Sequence, residues 1–106
     1  MRGFHAHIYF DPGELDAARR FAIAARERFG VPVGHFHTAP VGPHPRGSCQ
    51  LSLGPELFGP FAQWAAEARG DLTLFVHGLS GDDLVDHTRH VIWFGQSEPL
   101  DLSIFA

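Results

Sequence analysis

The chain has 106 residues, 44% of them hydrophobic, a size and composition expected to give one globular domain spanning residues 1–106 with a modest core. Its formal net charge is −4, and its eight Lys plus Arg are scattered. No basic stripe is available to neutralise a phosphate backbone, so nucleic acid is not an expected partner. The unusual component is histidine, eight residues, as many as Lys and Arg combined.

The N-terminus enters a strand pattern by Phe4 without a charged stretch followed by an apolar one. No apolar run approaches the ~18 residues of a membrane span. A cytoplasmic protein with no membrane partner is the expectation. Residues Phe4 to Phe10 (FHAHIYF) alternate, with Phe4, Ala6, Ile8 and Phe10 on one face and His5, His7 and Tyr9 on the other. Asp11-Pro12-Gly13-Glu14 then supplies a cap, a proline at the first helical position and an acidic residue in the first turn. Leu15, Ala18, Ala22, Ala25 and Phe29 recur at helical spacing until Gly30.

Val31 to Ala39 (VPVGHFHTA) reads as a second strand with His35 and His37 on one face and Phe36 on the other. The stretch PVGPHPRG, residues 40–47, cannot hold regular structure and displays His44 on a stiff loop. From Ser48 alternation resumes: Cys49, Leu51 and Leu53 face one way, Ser48, Gln50 and Ser52 the other, and Gly54-Pro55 ends the strand. As the single cysteine, Cys49 excludes an intrachain disulfide and reads as a small core residue.

Pro55 to Arg69 reads as a second helix, disturbed at Gly59-Pro60, with Phe61, Trp64, Ala65 and Ala68 as its apolar stripe. A strand follows, LTLFVH, with Leu72, Leu74 and Val76 opposite Thr73, Phe75 and His77. After it, Ser80 is a candidate N-cap with Asp83 three residues on, giving a short turn that carries Asp86 and His87. HVIWFG, residues 90–95, is a fifth short strand or an interface segment.

The order βαββαβ predicts an α+β, ferredoxin-like sandwich: a four-stranded antiparallel sheet with two helices on one face, plus a C-terminal extension. Phe4, Ile8, Phe36, Leu51, Leu53, Leu72 and Leu74 should face the helices. The other face then pools His5, His7, Tyr9, His35, His37, Gln50, Ser52, Thr73, Phe75 and His77. In this topology the first strand lies antiparallel to the strand ending at His77, which sets His77 beside His5.

Residues i and i+2 of a strand stand ~6–7 Å apart on one face, and imidazole binds first-row metals through ~2.1 Å bonds, so His5-x-His7 is a usable chelate. Its alternative is a pair of solvated surface histidines. His5, His7 and His77 are the candidate ligands. Their nitrogen character disfavours Ca²⁺ and leaves Fe(II), Zn²⁺, Mn²⁺ or Cu²⁺. His44, flanked by prolines, loses little entropy on being fixed over a substrate. A histidine is also the natural proton carrier near neutral pH, with Tyr9 as a second donor. Phe75 and Tyr9 offer an aromatic substrate a packing surface. No phosphate-binding glycine loop or nucleophile elbow is present.

FHAHIYFDP, PVGPHPRG and LFVHGLSGDDLVDHTRHVIWFG together resemble the DOPA 4,5-dioxygenase-like family, with its H-x-H-x-Y-F strand, P-V-G-P-H-P loop and V-H-P-x-T-G-x-D-x-x-D-H segment. The resemblance covers essentially the whole chain in the right order. It implies a ferredoxin-like fold, usually a homodimer, and extradiol cleavage of a catechol by O₂ at non-haem iron, with Fe(II) expected and Zn or another divalent metal as alternatives. The matching positions are His5, His7, Tyr9, His37, His44, His77, Asp83, Asp86 and His87. The pattern's methionine-aromatic pair after the loop is replaced by Ser48 and Cys49, and its proline after the fourth-strand histidine by Gly78. The expected activity is cleavage of a small catechol, DOPA or a related dihydroxyphenyl compound, with His5, His7 and His77 on the metal and His44, His87 and Tyr9 orienting substrate and moving protons. The competing expectation is a non-catalytic dimer that binds a metal or small molecule.

Overall fold

A computed structural model describes residues 1–105. Strand β1 (Phe4–Phe10) leads through a 3₁₀ turn at Pro12–Glu14 into helix α1 (Leu15–Phe29). The backbone amide of Asp11 donates to the Glu14 carboxylate at 2.9 Å, tying the helix start. Gly30 ends α1 in the left-handed region, φ 69°, its N–H donating to the Arg26 carbonyl, a conformation that costs a glycine little. Strand β2 (Gly47–Leu53), helix α2 (Phe58–Ala68, after a 3₁₀ turn at Pro55–Leu57), strand β3 (Thr73–Gly78), the single turn α3 (Asp83–Asp86) and strand β4 (Val91–Phe94) follow. Pro60 is tolerated in the first turn of α2, where its missing N–H has no intrahelical acceptor.

The four strands form one antiparallel sheet in the order β2-β1-β3-β4. The expected α+β sandwich is present, with a change of membership at its two edges. Val31–Ala39 is not a strand: it meets β2 only at the isolated bridges Val33↔Leu51 and His37↔Ser48. Between those bridges four steps on one segment oppose three on β2, the signature of a bulge. Pro32, which has no N–H, and Gly34 interrupt any longer ladder. The fourth strand comes instead from the C-terminal extension, where Val91–Phe94 pairs with β3.

The even-numbered side chains of β1 pack with Cys49, Leu51, Leu53, Leu74 and Val76 against Ala18, Phe21, Ala22 and Ala25 of α1 and Phe61 and Ala65 of α2. Burying each large apolar side chain there contributes about 1.5–3 kcal/mol. The small alanines let α1 approach the sheet closely, and Phe21 stacks on Trp64 with ring centroids 4.9 Å apart. Of the predicted core, Ile8, Leu51, Leu53, Leu72 and Leu74 are buried, while Phe4 and Phe36 pack at its margin. Among the described residues no helix is long and apolar enough to cross a membrane.

Candidate metal centre

The odd-numbered positions of β1 put His5, His7 and Tyr9 on the sheet face opposite the helices, and the β1–β3 register sets His5 directly against His77 and His7 against Phe75. The face is covered in part by the loop carrying His44, by α3 and by the C-terminal 3₁₀ turn, Leu102–Phe105, whose Phe105 lies 4.4 Å from His87 between ring centroids. His7, Tyr9, Phe75 and His77 are consequently buried, and His5 is half-buried.

Nε2 of His7 and Nε2 of His77 stand 3.1 Å apart. Two nitrogens on one ion with ~2.1 Å bonds are separated by about 3.0 Å at a right angle and about 3.4 Å in a tetrahedron. The pair is therefore already at ligand separation. His5 adds a third nitrogen, and the set lies within 4.8 Å, the sole such group of His, Cys, Asp or Glu donors among the described residues. No carboxylate belongs to it. His77 Nδ1 is 3.1 Å from the Gly78 carbonyl, so that nitrogen carries the proton and Nε2 presents its lone pair, as in most ligating histidines.

Burial lowers the pKa of His7 well below 6.5, assisted by the facing imidazoles of His44, His77, His5 and His87. His77 and His44 are pushed down to about 4, again by burial first, and His5 is lowered by burial and by His87. Clustered imidazoles that resist protonation retain the neutral form that a metal requires.

The three histidines and tyrosine singled out beyond these are all at this face or its rim. His44 lies 4.2 Å from His7 between ring centroids, and the Tyr9 hydroxyl is 2.7 Å from His44 Nδ1. Burial, then the Glu98 charge, raises the Tyr9 pKa, so the phenol keeps its proton and donates it. His44 is thereby left with its own proton on Nε2. His87 lies 4.1 Å from His77 and donates from Nδ1 to the Asp83 carbonyl at 2.7 Å, which leaves Nε2 free as an acceptor. His37, held by paired backbone bonds to Ser48, borders a cavity that His7 and His44 also line.

Asp83 and Asp86 are not in the cluster. Asp86, buried, accepts from Ser80 N and Oγ at 2.8 and 2.6 Å and from His90 Nδ1 at 2.8 Å. Ser80 is therefore not the helix cap: Asp82 fills that place, accepting from Val85 N at 3.1 Å, because the Ser80 hydroxyl is engaged by Asp86.

Two further residues shape the face without having been singled out in the sequence. Trp93 of β4 lies tilted against Phe75 with ring centroids 4.6 Å apart and meets Tyr9 edge-on at 6.0 Å; the alternation of HVIWFG would have placed it once β4 was paired with β3. Arg46 grips Glu98 through Nε and Nη2 at 2.9 and 2.7 Å and reaches Asp11 and Glu14 through Nη1. Larger grooves, of about 460 and 720 Å³, lie on the helix side of the sheet, away from the clustered imidazoles.

The sequence pattern of the Dopa 4,5-dioxygenase family matches residues 4–104. The chain is 37% identical to a 21.2 kDa protein of Botryotinia fuckeliana of uncharacterised function, an alignment that covers 98% of this chain and 64% of that one. It is 33% identical to the DOPA 4,5-dioxygenase of Amanita muscaria, covering 97% of this chain and 49% of the relative. The chain thus spans 49% to 64% of the length of these curated relatives. A crystal structure from Nostoc punctiforme, described as that of a candidate dioxygenase, superposes with a TM-score of 0.81 at 35% identity, covering 94% of this chain and 87% of the other.

Proposed function

The chain belongs to the Dopa 4,5-dioxygenase family, and on that premise we propose that it is an extradiol ring-cleaving dioxygenase of small catechols, DOPA or a related dihydroxyphenyl compound, using O₂ and non-haem Fe(II). The observation that carries this reading is the 3.1 Å approach of His7 and His77 Nε2 beside His5, on a face walled by Phe75 and Trp93. His5, His7 and His77 are assigned as metal ligands. A bound Fe(II) would supply a path for electron density between a catechol and O₂.

The remaining roles belong to the chain. His44, its Nδ1 occupied by the Tyr9 hydroxyl, turns an Nε2–H donor toward a substrate oxygen. His87, its Nδ1–H held by the Asp83 carbonyl, offers Nε2 to accept a proton. Donor and acceptor are thus separated by tautomer, each fixed by a neighbour. Half-buried Trp93 is assigned to give the ring an apolar surface, and Phe75, which the sequence offered for that contact, is fully buried and backs Trp93 from within the face. A homodimer and a cytoplasmic location complete the proposal.

The test is anaerobic reconstitution with Fe(II), addition of DOPA and other catechols, and admission of air. O₂ consumption with a yellow ring-opened product is the expected result. Absence of both, across several catechols, rejects the activity.

A further inference from the structure

A cavity of about 240 Å³ opens beside the imidazole cluster, with His7, His35, His37, His44, Ser48 and Gln50 in its wall. Two of these, His35 and His37, have no role in the chemistry above. Their rings meet edge to face at 4.8 Å, and they stand outside the donor group that could share one ion. They are not on a free loop. Gly34 N donates to the Gln50 carbonyl at 2.7 Å, and His37 and Ser48 exchange backbone bonds at 2.9 and 3.0 Å, so the bulged segment is pinned to β2 on both sides of His35.

The lining has a one-sided chemistry. None of the chain's 12 acidic residues contributes to it. His44, whose Nδ1 accepts from the Tyr9 hydroxyl, has only its Nε2–H to offer, His35 and His37 can each present an N–H, and a bond from any of these to a carboxylate is charge-assisted. The wall therefore offers N–H donors to an anion and no negative charge to a cation.

Resting on the catechol reading of the adjoining centre, we infer that this cavity receives an anionic tail of the substrate, so that dihydroxyphenyl carboxylic acids are preferred over catechol amines and over DOPA. The ammonium of DOPA meets no carboxylate there, whereas a carboxylate finds His35 and His37.

Binding and turnover test this separately. On metal-reconstituted protein under nitrogen, phenylpropionate should bind at least about tenfold tighter than phenylpropanamide or phenethylamine, the advantage of a charge-assisted hydrogen bond over a neutral one. That advantage should persist in metal-free protein and vanish in His35→Ala/His37→Ala. His35→Ala alone, at an exposed position, should reduce it and serves if the double variant does not fold. Equal affinities, an advantage that disappears with the metal, or one that survives the double variant would each overturn the inference. In turnover, kcat/KM should rank dihydrocaffeate above ethylcatechol and dopamine, with DOPA below dihydrocaffeate. Equal values would overturn the inference and leave the dioxygenase reading standing; selective phenylpropionate binding with no catechol consumed would do the reverse.

Discussion

His7 and His77 approach to 3.1 Å through Nε2 although they are diagonal, not opposed, across the β1–β3 pair: His77 faces His5, and His7 faces Phe75. Diagonal neighbours on a sheet are still within reach of long side chains, so one β1–β3 pair brings His77 to its direct partner His5 and to the diagonal His7 together. His77 is oriented for this by its bond to the Gly78 carbonyl.

Metal binding should accordingly be stabilising and should depend on His7. A ligand at a hundred times its Kd adds about 2.7 kcal/mol, which for a domain of this size raises Tm by roughly 10–20 °C. Wild-type protein should show such a rise with anaerobic Fe(II) or with Zn²⁺ in calorimetry, and His7→Ala should show none. A His7→Ala protein that retains a full complement of metal by elemental analysis would refute the ligand assignment.

The pH dependence of the metal-free protein has a definite sign. His44 and His77 are lowered to about 4, and His5 and His7 are also lowered, burial being the first cause in each, against about 6.5 in the unfolded chain. Between those values the unfolded state binds more protons, so stability is full above about pH 6.5 and declines as pH falls toward 4. The urea midpoint should drop over that interval. Bound metal should move the decline to lower pH, since protons must then displace it. A midpoint that is flat from pH 7 to 4 would contradict the lowered values.

Much of this face is legible in the sequence because alternation is a local property. FHAHIYF divides into Ala6, Ile8 and Phe10 toward the helices and His5, His7 and Tyr9 away from them without reference to any other segment. The β1–β3 pairing follows from the βαβ order, and with it the meeting of His5 and His77. The edges are less legible. VPVGHFHTA has a strand's side-chain pattern, but Pro32 and Gly34 deny it a continuous ladder, while VIWF is four residues long and gains its pairing only from β3. The cap of α3 is misread because both Ser80 and Asp82 have the right chemistry, and the choice depends on buried Asp86. Arg46 and Glu98, 52 positions apart, leave no local signal at all.

Tyr9→Phe isolates the hydroxyl that holds His44. The ring remains packed against Phe75 and Trp93, so the stability cost should be about 1 kcal/mol, that of one hydrogen bond. If His44 is the oriented donor, kcat should fall roughly tenfold to a hundredfold with a smaller change in KM, less than the 10²–10⁴ of a direct proton-transfer group. His44→Ala should lie in that larger range. Equal turnover by Tyr9→Phe and wild type would remove Tyr9 from the mechanism.

Arg46 joins three parts of the chain: the loop behind His44, the start of α1 through Asp11 and Glu14, and the C-terminal segment through Glu98. Its guanidinium also sits 5.9 Å from the Tyr9 ring centroid. Lys cannot reproduce a two-point grip on Glu98 together with a third contact, so Arg46→Lys should behave nearly as Arg46→Gln. Because the network is partly exposed, the loss should be modest, about 1 kcal/mol, and should shrink at high salt. Denaturant melts of both variants at low and high ionic strength check this. Full stability in Arg46→Lys would mean that charge alone, and not the fork, holds the segment.

Asp86 sets the position of α3 and thereby of His87. Although burial pushes its carboxyl up, the bonds from Ser80 and His90 outweigh that and hold it down at about 2, against an ordinary 3.8. Its contribution is present above pH 3.8 and is lost as pH falls through 2. Asp86→Asn removes the charge and keeps an oxygen on the Ser80 N–H only by turning its amide toward the Ser80 hydroxyl and His90, which must then accept where they now donate. The expected loss is about 1–3 kcal/mol, with the turn carrying His87 loosened. Hydrogen exchange should therefore speed up at the amides of Asp86 and His87, which bond to the Asp82 and Asp83 carbonyls, and leave the β1–β2 ladder unchanged. Metal content, assigned under the proposed function to His5, His7 and His77, should remain while kcat falls. A variant that loses metal and activity together would show that α3 supports the ligands themselves, and that His87 is not separable from the centre.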